Sequence, residues 1–153
     1  MAVKLGSLRA DMRKVNEGEW VEIPDLPDGE GGLVVLLVRG FAYGPYQADN
    51  SIMRGKWARR YENRNEPVPP EVATKDLAHL YAKHLLIGWK GFDERYNPEL
   101  AEDMLASPGE FFGHVLWAVQ QVSRTEVEFV EGAAKNSGRS SAGSSKTTPS
   151  EPG

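Results

Sequence analysis

The chain has 153 residues, of which 40% are hydrophobic and 26% charged, a balance that suits one soluble globular domain with a real core. Its 22 acidic residues outnumber 18 basic ones, giving a formal charge of −4, so non-specific nucleic-acid binding by the whole surface is disfavoured, although one basic face can still bind. The lack of cysteine excludes disulfides, thiolate metal sites and cysteine nucleophiles, and suits a reducing cytosol. Met1 to Ser7 lacks the apolar run of a signal peptide, and no window approaches the roughly 20 apolar residues of a membrane span. A cytoplasmic protein with no membrane contact is the expectation.

The first third reads as β. Glu19-Trp20-Val21-Glu22-Ile23 is rich in strand formers, and Leu33-Val34-Val35-Leu36-Leu37-Val38 is a continuous apolar run of strand length, the pattern of a strand buried on both faces. Between them Pro27-Asp28-Gly29 and Gly31-Gly32 are turn signals, so a hairpin with a loop of about eight residues is expected. Two strands alone are marginal and need helices or another chain to cover them.

Helices are expected after Pro45. From Gln47 to about Asn63, Met53, Trp57 and Tyr61 stand four residues apart on one stripe with Ile52 beside it, and Arg54, Lys56, Arg59, Arg60 and Arg64 surround that stripe. The proline-rich Glu66–Pro70 is a stiff connector. A second helix, about Glu71 to Ile87, carries Ala73, Leu77, Leu80, Tyr81 and Leu85 on one face, with Gly88 as a left-handed cap. Asn97-Pro98-Glu99 reads as N-cap, first-turn proline and dipole-matched acid, opening a short helix with Leu100, Ala101, Met104 and Leu105. Ser107-Pro108-Gly109-Glu110 reads as a capping box for a final helix from Pro108 to about Glu131, with Phe112, Val115, Val119, Val122 and Phe129 near heptad spacing and Glu126 interrupting the seam.

From Gly132 to Gly153 there is no aromatic residue and no Leu, Ile, Val or Met, so nothing offsets the entropy of ordering that segment. The expected organisation is a domain over residues 1–131, folded from about residue 8, and a disordered Ser/Gly-rich tail over 132–153. The expected fold class is α+β: mostly helical, with a small N-terminal β-hairpin packed against about four helices.

No constellation suggests catalysis. His79 and His84 are five residues apart and turn away from a common helix face, and no HExxH pattern occurs. Asp93-Glu94 and Glu102-Asp103 lie in a turn and on the polar side of a short helix, where little would shift a pKa. Gly29-Glu30-Gly31-Gly32 precedes a strand and lacks the helix N-terminus of a phosphate cradle. The expectation is no enzyme, no catalytic or metal-binding residue, and no cofactor. Two features read as partner-binding candidates. Arg54, Arg59 and Arg60 around Trp57 and Tyr61 suit phosphates and bases, or an acidic protein partner, as well as plain packing with solvated arginines. Trp89 and Phe92, just past the expected helix end, suit either a contact across that end or a pair of aromatic anchors.

The order of segments is similar to the tail assembly chaperones of long-tailed, siphovirus-type bacteriophages. The resembling motifs are Lys14-Val15 and Gly18–Ile23, the strand Leu33–Val38, the basic aromatic helix over Arg54–Tyr61, Leu85-Leu86-Ile87-Gly88-Trp89-Lys90-Gly91, and Tyr96-Asn97-Pro98-Glu99 before a long final helix. They cover about residues 8–131, whereas the Gly-rich loop at 25–32 and the tail depart from the pattern. The resemblance implies a protein that coats the helical tape measure protein, helps recruit tail tube subunits, self-associates into a homo-oligomer and is missing from the mature virion. It also implies that a ribosomal frameshift near the end yields a longer product. The alternatives are a small nucleic-acid-binding regulator using the basic helix 47–64, and a permanent tail or connector component of the virion.

Overall fold

A computed structural model describes the backbone of residues 12–137 and the side chains of residues 12–126. A helix α1, described over 12–17, leads into strands β1 (Glu19–Pro27) and β2 (Leu33–Val38), which pair antiparallel with Trp20 opposite Leu37 and Glu22 opposite Val35. The register breaks between Glu22 and Pro27. Pro24 has no N–H for the ladder, and Asp25 takes a φ of 61° at the same place. The loop is tighter than the sequence suggests. Asp28 Oδ1 accepts from the N–H groups of Glu30 (2.7 Å) and Gly32 (3.1 Å), and these bonds hold its carboxyl below the ordinary value of 3.8.

Helix α2 (Gly44–Arg60) starts with Pro45 in its first turn and ends in a single 3-10 turn, Glu62–Arg64, closed by Asn65 in the left-handed region. Helix α3 (Pro70–His84) begins at the last proline of the stiff connector. The structure then departs from the expected helix end. Leu85 N–H still donates to Tyr81 O at 2.9 Å, but Leu85 O accepts from Arg39 N–H at 2.8 Å, and the chain enters a third strand, β3 (Leu86–Lys90). It pairs antiparallel with β2, so the sheet order is β1-β2-β3. Gly88 is therefore not a helix cap. It sits opposite Leu37, where a Cβ would lie 3.3 Å from the Leu37 Cβ and 3.6 Å from Trp20 Cη2. The left-handed glycine is Gly91, with φ +100°.

Helix α4 (Pro98–Ala106) opens as expected, Asn97 Oδ1 accepting from Leu100 N–H at 2.9 Å. Ser107 does not cap the last helix. Its Oγ donates backward to Asp103 O at 2.7 Å, closing α4, and α5 (Phe111–Ser137) starts after Glu110. Helix α5 passes the expected end at Glu131, and the rest of the expected disordered tail lies outside the described residues, as does the side chain of Phe129.

Among the described residues, five helices and a three-stranded antiparallel sheet make an α+β fold, mostly helical. Alternation along β2 sends Val34, Leu36 and Val38 into the core, and α5 packs on β1 and β2 through Val115, Ala118, Val119 and Val122, an i, i+3, i+4, i+7 stripe. Ile23, Leu80, Tyr81, Leu85, Leu86 and Leu105 complete the core. Leu33, Val35 and Leu37 point to the other sheet face and stay half-buried, with Trp20 beside them 47% exposed. Among the described residues no helix is long and apolar enough to cross a membrane.

Candidate partner-binding site

The basic helix and its aromatic stripe do converge. On α2, Met53 and Trp57 are buried, and Trp57 Nε1–H donates to Asp76 Oδ2 on α3 at 2.8 Å, tying the two helices together. Arg54 lies over the Trp57 ring, 5.4 Å from its centroid. Tyr61 falls just past the helix end and is half-buried. Trp57, Tyr61, Lys56, Arg59, Arg60, Val72 and Asp76 line a notch of about 390 Å3 at the C-terminal end of α2, and Arg54 is not among its lining residues. The helix dipole favours cations there, so Arg59 and Arg60 are well placed in the last turn.

Trp89 and Phe92 form a separate cluster. Trp89 is buried, its Nε1–H donating to Glu94 O at 2.8 Å, and its ring meets Phe92, Tyr96 and Phe111 edge-on at centroid distances of 5.5, 5.1 and 5.8 Å. Tyr96 donates its hydroxyl proton to Leu86 O at 3.2 Å, and burial pushes its pKa up. Phe92 is half-buried over this cluster, so it alone of the pair presents part of its ring outward.

Two arrangements had little signal in the sequence. His84 is buried, and its Nε2 stands 2.7 Å from Asp49 Oδ2, which also pairs with Lys83 Nζ at 3.2 Å. The bond from His84, then that from Lys83, holds the Asp49 carboxyl below its ordinary 3.8. Asp49 and His84 are 35 positions apart, and only the antiparallel packing of α2 on α3 joins them. Arg39 works in the same non-local way. Its Nη1 donates to His84 O at 2.8 Å and its Nε to Asn16 O at 2.6 Å, so one guanidinium satisfies the ends of α3 and α1.

Three further titratable side chains have neighbours within the fold. Tyr81 is packed among Phe41, Tyr46 and Phe112, and burial pushes its pKa up to about 12. His79 pairs with Glu102 at 3.2 Å on the surface, and His114 lies 3.7 Å from Glu110. Among the described residues no group of three or more His, Cys, Asp or Glu could hold a metal ion. These hydrogen bonds position side chains and helix ends.

Set against known proteins, the part of the chain from α2 through β3 to α5 carries the likeness. No curated protein and no solved structure matches the chain. A family model described as YdaY prophage protein matches residues 41–136, from just before α2 to the penultimate residue of α5. That is well over half of the chain, and the protein belongs to the YdaY prophage protein family, which makes it a protein of bacteriophage origin.

Proposed function

We propose that this phage protein is a non-enzymatic tail assembly chaperone. It binds the tape measure protein, helps recruit tail tube subunits to it, acts as a homo-oligomer in the host cytoplasm, and uses no cofactor. The observation that carries this reading is the order of segments in a chain of phage origin: strand, basic aromatic helix, Leu-Leu-Ile-Gly-Trp-Lys-Gly, an Asn-Pro-Glu helix start, and a long last helix. The physical task fits the surface. A long helical ruler aggregates unless its apolar patches are masked during assembly. This small scaffold offers apolar contacts to such patches at Trp20, 47% exposed beside Val35 and Leu37, and at Ile52 on α2, 57% exposed. Co-expression with the tape measure protein tests the reading. The tape measure protein is expected in the soluble fraction only when this chain is present, and equal solubility without it would sink the proposal. Purified particles are expected to lack the chain by mass spectrometry, which separates a chaperone from a permanent virion component.

A second reading follows from the cations of α2. Lys56, Arg59 and Arg60 are exposed and form no ion pair among the described residues, as a nucleic-acid contact would require. It demands salt-dependent binding of DNA or RNA that weakens when Arg59 and Arg60 become Ala. An unshifted gel at low salt removes it.

A further inference from the structure

The two faces of the sheet differ. Among the described residues α5 is the helix that packs on β1 and β2, and it does so on the side of Val34, Leu36 and Val38. On the opposite side Trp20, Leu33, Val35 and Leu37 form an apolar patch outside the core cluster, with Trp20 exposed and the other three half-buried. Trp20 lies across β2 toward Gly88, its Cη2 3.6 Å from where a Cβ on that glycine would stand. The next row of the sheet reads Glu22, Val35, Lys90 from β1 to β3. An apolar centre thus stands between an exposed acid and an exposed base, and neither forms an ion pair among the described residues. The Lys90 ammonium rests on the Trp20 ring, 4.5 Å from its centroid. The edges of the sheet disfavour one kind of partner. An added strand needs a continuous free ladder of N–H and C=O groups. In β1 that ladder is broken near its middle by Pro24 and by Asp25 in the left-handed region. In β3 the Leu86 carbonyl already takes the Tyr96 hydroxyl, and Gly91 turns the chain directly after Lys90. What stays open to a partner is the face.

We propose that this outer face, an apolar patch between Glu22 and Lys90, docks one amphipathic α-helix of another polypeptide, laid along β2. The width fits a single helix, because Glu22 and Lys90 stand two strand spacings apart, roughly 10 Å, about the diameter of one helix. The length fits a short one. Leu33 to Leu37 spans four strand steps, roughly 13 Å, which about nine helical residues cover. The charges state what its flanks must be: a basic side chain toward Glu22, an acidic one toward Lys90, and an apolar stripe at i, i+3, i+4 and i+7 between them. Since the two flanks differ in sign, a given helix docks in one direction. The inference deepens the chaperone reading and rests on it for the identity of the partner, a helical segment of the tape measure protein. The fit of the face to a helix with these flanks is independent of that identity.

An NMR titration of the full chain tests the proposal with designed helical peptides of about four turns that share one leucine stripe. One carries Lys on one flank and Glu on the other, one carries Glu on both, and one carries Lys on both. The mixed peptide is expected to shift the amides of Trp20, Glu22, Val35, Leu37 and Lys90, to leave those of α2 in place, and to bind roughly fivefold more tightly than either of the others. In a Glu22→Lys variant the order is expected to invert, so that the peptide with Glu on both flanks binds best. A variant that has lost its fold cannot gain affinity for one peptide while losing it for another. No binding of the mixed peptide, shifts confined to another surface, or an order that Glu22→Lys leaves unchanged would overturn the docking face. So would shifts of the same amides that grow with protein concentration before any peptide is added, the mark of a second copy on the face. Failure of the chaperone reading looks different: the tape measure protein stays insoluble in co-expression while the titration gives the expected order.

Discussion

Gly91 has a φ of +100°, and a Cβ built on it would stand 3.0 Å from both Asp28 Cβ and Val34 Cα. Both penalties act at once: a side chain there is strained by the backbone and blocked by the hairpin that folds over it. Gly31 makes a clean contrast, since its φ is +91° but no atom lies within 4 Å of where its Cβ would stand. Gly91→Ala is therefore expected to cost about 3 kcal/mol and Gly31→Ala only about 1 kcal/mol. Urea unfolding of both variants checks the pair of values. Equal losses would mean that the contact with Asp28 and Val34 contributes nothing. The motif Gly-Trp-Lys-Gly thus has two glycines with different duties: Gly88 makes room for Leu37 and Trp20 across the sheet, and Gly91 turns the chain.

Among elements, the hairpin and the helical layer are legible in the sequence because their signals are local. Leu33–Val38 is a short continuous apolar run between turn signals and forms the expected strand. Its Leu33, Val35 and Leu37 face stays half-buried where the run predicts burial on both faces, and the strand lies at the centre of the sheet and not in a hairpin alone. Asn97-Pro98-Glu99 states a helix start within three residues, and Asn97 caps it. Strand β3 is hidden for the converse reason. Leu85-Leu86-Ile87 continues the apolar face of α3 without a break, and what ends the helix is non-local: Arg39 takes the Leu85 carbonyl with its backbone N–H and the His84 carbonyl with its guanidinium. Ser107 differs from its capping-box pattern because its hydroxyl finds an acceptor behind it, at Asp103 O, in place of a donor ahead.

The assignment of Trp89 to a strand changes what its loss should do. With its ring against Phe92, Tyr96 and Phe111 and its Nε1–H on Glu94 O, it anchors β3 and the turn after it to the start of α5. Trp89→Ala is expected to lower stability by about 3–5 kcal/mol, the range for deleting a large buried aromatic. Trp89→Phe keeps much of the packing and leaves the Glu94 carbonyl without this donor, for about 1–2 kcal/mol. Thermal and urea denaturation of both variants provide the check. A Trp89→Ala protein as stable as wild type would show that the ring is an external anchor after all.

At the scale of the whole molecule, the question is how the long last helix is held to the rest. The joint is the segment between β2 and α2. Phe41 N–H donates to Ser123 Oγ at 2.9 Å, and Ser123 Oγ donates on to Val119 O at 2.8 Å, so a loop backbone is bonded into the side of α5. One turn further along, Glu126 is buried, and a Cβ on Gly40 would come 2.6 Å from its Oε1 and 3.0 Å from Ser123 Oγ. A side chain at position 40 meets the Glu126 carboxylate and the Ser123 hydroxyl, which must shift to admit it. Gly40→Ala should therefore displace these side chains and cost about 2 kcal/mol. Because the tightest clash is with the Glu126 carboxylate, the same substitution in a Glu126→Ala background should cost less, though not zero while Ser123 remains. A double-mutant cycle by urea denaturation measures this directly, with an expected coupling of about 1–2 kcal/mol. Additive losses would mean that Gly40 and Glu126 do not share the joint, leaving the Phe41–Ser123 bond and the Val115, Val119 and Val122 stripe to hold α5.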